Sequence, residues 1–174
     1  MDMENKVRQI RELVEAKREK SARVSDEVWA VPELYFHETK SAAILIKALK
    51  EEGFEVQEGV DGIPTAFIGT WGSGKPVIGI LGEFDALPSL SQEAGCWEHK
   101  EIVKGGPGHG CGHNALGAGA MAAAVAAKDY MEKNGLSGTM RYYGCPAEEA
   151  GWGKMLLARD GYFDDLDACS TWPP

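Results

Sequence analysis

The segment His109-Gly110-Cys111-Gly112-His113-Asn114 holds three side chains of the kinds that bind transition metals. Thiolate and imidazole are the soft and borderline donors that zinc prefers. Cys111 and His113 alternate with glycines, so in an extended loop both can face one side, and the bare backbone lets an ion approach closely. The loop runs into a helical pattern, whose positive end favours a thiolate. A second cluster, Gly82-Glu83-Phe84-Asp85-Ala86-Leu87-Pro88, follows a strongly apolar run. Its two carboxylates stand two residues apart, which in extended chain points them the same way. Alone, they would equally suit a solvated acidic turn. A third cluster, Gly144-Cys145-Pro146-Ala147-Glu148-Glu149-Ala150-Gly151, places adjacent glutamates after a strand-like segment. Neighbouring side chains there point in different directions. One glutamate could bind a metal while the other takes a proton from an attacking water. The pair could also be the acidic first turn of a helix.

Other chemistries lack their signatures. Gly72-Ser73-Gly74 has the wrong spacing for a nucleophile elbow, and there is no phosphate-binding GxGxxG or Walker loop. The HxE and PCxxC elements of a zinc deaminase are missing. His37 and His99 are isolated and read as structural or exposed, and Cys145 and Cys169 read as core. The tryptophans could line a pocket, although packing is their commoner role.

These clusters need strands and helices to bring them together. Val7, Ile10, Val14 and Lys17 recur at helical spacing and predict an amphipathic opening helix. A second helix is expected from Thr39 to Glu52, with Gly53 as its stop. Short strands are expected at 54–56, 65–68 and 77–81, the last (VIGIL) apolar enough to be buried on both faces. Trp71 to Pro76 reads as a hairpin-type turn, and 89–112 as a long loop. Asn114 is expected to cap a helix from Ala115 to Lys133, whose Gly117, Ala118, Gly119 and Ala120 suit close packing on a sheet. A strand at 139–143, a short helix at 153–159 and a strand from Ala168 complete the pattern. Strands alternating with helices indicate an α/β fold, a three-layer α/β/α sandwich. In such sheets ligands bind at the carboxyl ends of the strands, where all three clusters lie.

The bulk properties narrow the partners. The net charge of -9 argues against nucleic acid, which needs clustered Lys and Arg. The charged N-terminus is no secretory signal, and the longest apolar run, Ala115 to Ala127, is too short to span a membrane. The chain reads as cytoplasmic, its four cysteines as free thiols or metal ligands.

Together the clusters resemble the two-metal peptidases and amidohydrolases, the family of aminoacylases, hippurate hydrolases and auxin-conjugate hydrolases. Trp29-Ala-Val-Pro-Glu-Leu-Tyr-Phe-His-Glu38 resembles that family's HPELxFxE-type opening, and Gly82–Pro88 its DALP motif. Gly108–Asn114 resembles its HxCGH motif and Pro146–Glu149 its PxEE motif, in matching order and spacing. The resemblance implies Cys111, His113 and Glu149 as metal ligands, with Cys111 bridging two divalent ions, zinc or manganese. It implies Glu148 as general base and Asp85 as a group orienting the site from behind a ligand. Glu83 has an equivalent that binds metal in some relatives but not in those with the cysteine motif.

The implied activity is hydrolysis of the amide bond of a small N-acyl amino acid, such as an aroyl- or aminoacyl-glutamate. The implied assembly is a homo-oligomer, or a hetero-oligomer with a related subunit. Residues 1–174 would form the N-terminal part of the catalytic domain, with the lid or dimerisation domain and the C-terminal half absent. Two more histidine ligands are implied, one where Pro173 stands and one in the C-terminal half, so this chain alone is expected to be inactive. An apolar sheet edge would lie open beside the VIGIL strand. Two other readings compete: a non-catalytic metal-binding or partner-interaction module, and a decayed remnant.

Overall fold

The computed structural model describes residues 2–172. Two helices open the chain, α1 (Met3–Ala16) and α2 (Arg18–Trp29), where sequence periodicity indicated only the first. They break at Lys17, whose Nζ, with that of Lys20, binds the Glu52 carboxylate at 2.7 and 2.8 Å. The stripe of α1 lies against a later helix, α4 (His113–Lys133), yet Val7, Ile10 and Val14 stay 41–43 % exposed. In α2 the buried contacts are Val24 and Val28, one helical turn apart. The next helix, α3 (Thr39–Glu51), takes its N-terminal cap from a distance: Glu33 Oε2 accepts from the Lys40 and Ser41 amides, both at 2.9 Å. Glu38, at the N-cap position, is thereby free to turn its side chain inward, where it is fully buried.

Five strands follow in one mixed sheet: β1 (Glu55–Glu58), β2 (Phe67–Ser73), β3 (Val77–Glu83), β4 (Gly138–Cys145) and β5 (Ala168–Ser170), ordered β1-β2-β4-β3-β5. The turn after β2 does not make a hairpin with β3. β4 enters between them, antiparallel to β2 and parallel to β3. The open edge expected beside the VIGIL strand is also absent, because β5 pairs with it from Ile78↔Ala168 to Ile80↔Ser170. Cys169, on that outer strand, is exposed and not core.

Helices cover both faces, as the three-layer reading requires. On one face α2, α3 and α4 (His113–Lys133) bury Leu45, Leu49, Phe84, Met121 and Val125 against Phe67, Met140 and Tyr142. On the other, α5 (Gly153–Arg159) seats Leu157 against Ile68, Leu81 and Tyr143. Ile78 and Ile80 of the VIGIL strand are only partly buried, so that strand is covered fully on one face alone. No described helix is long and apolar enough to cross a membrane.

Close approach of α4 to the sheet depends on a missing side chain. A Cβ at Gly117 would lie 2.5 Å from the Glu83 carbonyl oxygen, whereas one at Gly119 would meet nothing within 4 Å. The Tyr142 hydroxyl, in turn, donates to the Gly117 carbonyl at 3.2 Å. Two substitutions separate contact from propensity. Gly117→Ala should lower unfolding free energy by about 1–3 kcal/mol, because the added methyl forces α4 off the end of β3. Gly119→Ala should leave it unchanged or raise it by up to about 1 kcal/mol, since alanine is the better helix former. Urea unfolding of both variants checks the pair.

Candidate metal centre

Parallel pairing of β3 and β4 sets the site. It aligns Glu83 with Cys145, so both chains leave the sheet at the same edge. Beyond β3 come Phe84 and Asp85, and beyond β4 come Pro146, Ala147, Glu148 and Glu149. The loop 84–112 has no regular element and is folded by its own polar groups. Gln92 Nε2 donates to the carbonyls of Cys96 and Glu98, and Ser91 Oγ accepts from the Val103 amide. It delivers Cys111 to the same edge and then starts α4 at His113.

The N-cap of α4 is Gly112, held at φ +83°, and not Asn114. Asn114 instead donates its side-chain amide to Ser25 Oγ on α2 at 2.9 Å. His113 is fully buried, and four carboxylates from two segments, 83–85 and 148–149, converge on its ring. Its Nδ1 lies 2.9 Å from Asp85 Oδ1. A carboxylate only accepts, so Nδ1 carries the proton and donates, which leaves the Nε2 lone pair pointing away from Asp85. Around Nε2 stand Glu83 Oε2 at 3.2 Å, Glu148 Oε2 at 3.7 Å and Glu149 Oε1 at 3.9 Å. Glu83 and Asp85 thus do face one way, bracketing the two nitrogens of one ring.

Glu148 and Glu149 do not diverge as adjacent side chains of a strand would. The chain leaves extended geometry at Ala147, which has φ +56°, and turns, with the Gly151 amide donating to the Glu148 carbonyl at 2.7 Å. Both carboxylates therefore reach the same nitrogen. Asp85 supports this turn too, its Oδ2 accepting from the Glu149 amide at 3.0 Å.

The fit to a cation rests on what these atoms lack. Glu83 Oε2, His113 Nε2 and Glu149 Oε1 are buried and have no hydrogen-bond partner among the described residues. Leaving such groups unpaired costs free energy. A cation bound between His113 Nε2 and Glu149 Oε1 would satisfy both and lie beside the Glu83 carboxylate. Two ligand groups are close enough to hold one: Cys111 with His113 and Glu149, and Glu83 with His113 and Glu148.

Electrostatics differ from the sequence expectation at Cys111. Burial, then the charge and hydrogen bond of Glu149, then the charges of Glu148 and Glu83, push its thiol up to about 11. The helix end does not outweigh them, so ionising this thiol falls to a metal, which displaces the proton on binding. Burial alone would push the His113 imidazolium down, but the Asp85 hydrogen bond and the surrounding carboxylates outweigh it and hold its pKa above the ordinary value.

His109 stands apart from these groups. It is buried, with Nε2 3.2 Å from the Val28 carbonyl oxygen and its ring 6.2 Å from that of Trp29. Its burial holds its pKa down. Pro173, a position of interest in the sequence, lies outside the described residues.

Two participants escaped the sequence reading. Lys154, near the start of α5, pairs through Nζ with Glu83 Oε1. No local pattern signals a contact across 71 positions. Glu38 accepts the Ala147 amide at 2.8 Å, clamping the turn that carries Glu148 and Glu149. Its one signal was its place as the last residue of the opening motif, 29–38.

The arrangement is that of an α/β protein with a candidate Cys/His/carboxylate cation site at the carboxyl edge of a parallel strand pair. The chain belongs to peptidase family M20/M25/M40, whose family model matches residues 79–174. A p-aminobenzoyl-glutamate hydrolase subunit from Escherichia coli K12 is 49 % identical over 172 residues, covering 99 % of this chain and 36 % of that protein. Hippurate hydrolase from Campylobacter jejuni is 31 % identical over 137 residues, covering 79 % of this chain and 34 % of that protein. Among solved structures, the Bacillus subtilis YxeP protein, described as a dinuclear metal-binding peptidase of the M20 family, superposes with TM-score 0.72 at 25 % identity. The match covers 89 % of this chain and 42 % of that one. The chain thus spans about a third of the length of these curated relatives.

Glu38 yields a test of the clamp. Burial outweighs its backbone hydrogen bonds and raises its pKa above the ordinary 4.5. A raised carboxyl stabilises the fold fully below its unfolded pKa, and that contribution is lost as pH rises through the folded value. Glu38→Gln keeps an acceptor for Ala147 and removes the titration. Its stability should therefore gain on the wild type between about pH 4 and pH 7 in denaturant titrations. Glu38→Ala should cost about 1–3 kcal/mol at both pH values, because the Ala147 amide is left unpaired.

Proposed function

We propose that this chain carries the metal-binding and proton-transfer residues of an amidohydrolase that cleaves the amide bond of an N-acyl amino acid, with aminobenzoyl-glutamate the first candidate. One observation carries the reading. Three buried, unpartnered donor atoms converge beside Cys111, and Asp85 holds the opposite nitrogen of the central imidazole. Cys111, His113 and Glu149 are the proposed ligands of zinc or manganese, with two ions in the complete site. The family membership and the dinuclear relative support the second ion. The 49 % relative's name supports the substrate and an assembly with further subunits, either copies of this chain or a related one.

A divalent ion in this site would supply Lewis acidity, acidifying a water and polarising the amide carbonyl. The remaining work falls to side chains. Asp85 fixes the His113 tautomer with the Nε2 lone pair free. Glu148, the more exposed of the two glutamates at 34 % against 20 %, is the proposed general base. It would take a proton from the attacking water and return it to the leaving amine. Residues 1–174 form, in this reading, the N-terminal part of the catalytic domain of a cytoplasmic enzyme. The rest of the sheet and the lid or dimerisation domain would be supplied by chain of the kind its relatives possess.

Metal retention is measurable on this chain. After loading with zinc or manganese and dialysis, plasma emission analysis should find bound metal in the wild type and Glu148→Gln, and little in Cys111→Ser/His113→Ala or Glu149→Gln. Metal-free wild type would refute the reading. In a chimera completed with the C-terminal part of the Escherichia coli relative, Glu148→Gln should lower aminobenzoyl-glutamate turnover by about 10²–10⁴. Bound metal with no turnover by the unmutated chimera would favour a non-catalytic metal-binding module.

Asp85→Asn gives a second check. An asparagine amide can donate to Nδ1, which would move the proton to Nε2 and block the ligand lone pair. Metal affinity should fall by about 10–100-fold by equilibrium dialysis. Unchanged affinity would exclude the tautomer argument.

A further inference from the structure

The two ligand groups cannot both be complete. Cys111/His113/Glu149 and Glu83/His113/Glu148 each place their donor atoms within 4.8 Å of one another, but both draw on His113. Its Nδ1 is committed to Asp85, so Nε2 is the one free ring nitrogen. A single lone pair serves a single ion. The groups are alternatives, and something must decide between them.

They differ in their cations. Glu83, 2 % exposed, is paired with the Lys154 ammonium through Oε1, while its Oε2 faces His113 Nε2. Among the described residues no Lys or Arg forms an ion pair with Glu148 or Glu149. A metal binding through Glu83 must compete with an ammonium already in place, whereas one binding through Glu149 meets an uncompensated carboxylate. Once Cys111 and Glu149 are neutralised by an ion, Glu83 would still be a buried anion, which is costly without a partner. Lys154 supplies that partner.

We propose that Lys154 is a resident counter-cation that keeps Glu83 out of the metal-ligand set and commits His113 to the ion held by Cys111 and Glu149. The proposal rests on the reading that this site takes a divalent ion. It makes Lys154 a positioning residue, acting on the metal site through Glu83. Removing its charge should turn Glu83 into an available ligand beside His113 and Glu148. Removing Glu83 should leave the ion on Cys111.

The test is titration of the 174-residue chain with cobalt(II), followed by equilibrium dialysis and by thiolate-to-cobalt charge-transfer absorption, assigned to Cys111 by its loss in Cys111→Ser because Cys96 and Cys169 are also accessible thiols. Circular dichroism establishes that each variant is folded. In the wild type the first equivalent should develop the thiolate band, and Glu83→Gln should keep that band's absorbance per bound ion, with affinity lowered by up to about tenfold through loss of a nearby negative charge. Lys154→Met should bind cobalt at the Glu83 group at least about tenfold more tightly than the wild type does, as expected when a unit charge a few ångström away is removed. Its absorbance per bound ion should fall as ions divert from Cys111. Lys154→Arg, which keeps the charge, and Lys154→Met/Glu83→Gln should both behave as wild type. Wild-type affinity and absorbance in Lys154→Met, or loss of the thiolate band in Glu83→Gln, would overturn this proposal and leave the metal reading standing. A wild-type chain that binds no cobalt would overturn both.

Discussion

The site hangs on the carboxylate of Asp85. One of its oxygens holds His113 Nδ1 at the start of α4, and the other holds the Glu149 amide in the turn beyond β4. A single buried side chain thus fastens three segments, the ends of β3 and β4 and the first turn of α4. It does so while fixing which ring nitrogen keeps its lone pair. Among the described residues no other group at the end of β3 is placed to do both. Glu83, two residues earlier, reaches the opposite nitrogen and Lys154.

That geometry requires backbone to approach backbone. β3 and β4 run parallel with Gly82 opposite Gly144, and each glycine leaves room for an aromatic ring. A Cβ at Gly82 would lie 2.0 Å from the Tyr142 hydroxyl oxygen, and one at Gly144 would lie 2.2 Å from the Phe67 ring. Those rings stack at 5.8 Å and form the floor under the site. Gly117 then lets α4 settle on the Glu83 carbonyl. Apolar packing thereby places the polar ends of the elements within hydrogen-bond reach.

The resulting cluster is strongly anionic and partly buried. Four carboxylates surround one imidazole and one thiol, and among the described residues Lys154 is the one ammonium in contact with them. Such a cluster is stable only with added positive charge, which a proton on His113 or a cation can supply. The raised pKa values of His113 and Cys111 express the same imbalance: each group keeps its proton until something more positive replaces it. Glu38 supports this from below by holding the left-handed Ala147, which lets both glutamates reach one nitrogen.

Much of this was legible in the sequence. Ligand-type residues at short spacing marked 109–114, 83–85 and 148–149, because metal chemistry restricts donors to few residue types. Periodicity and glycine stops located α3, α4, β3 and β4, because strands and helices repeat with fixed periods. The sequence also determined that the 83–85 and 148–149 clusters follow strand-like segments, and hence that these two could share one sheet edge. Tertiary structure decided the rest. The insertion of β4 between β2 and β3, and the pairing of β5 along β3, depend on long-range partners that leave no local period. His109 shares the motif with Cys111 and His113, yet it packs on Trp29, because the loop's path and not its composition sets where each ring points. The common aim of Glu148 and Glu149 comes from a turn at Ala147, which overrides the alternation expected of extended chain. Lys154 and Glu38 meet the site across 71 and 109 positions, so folding alone brings them there.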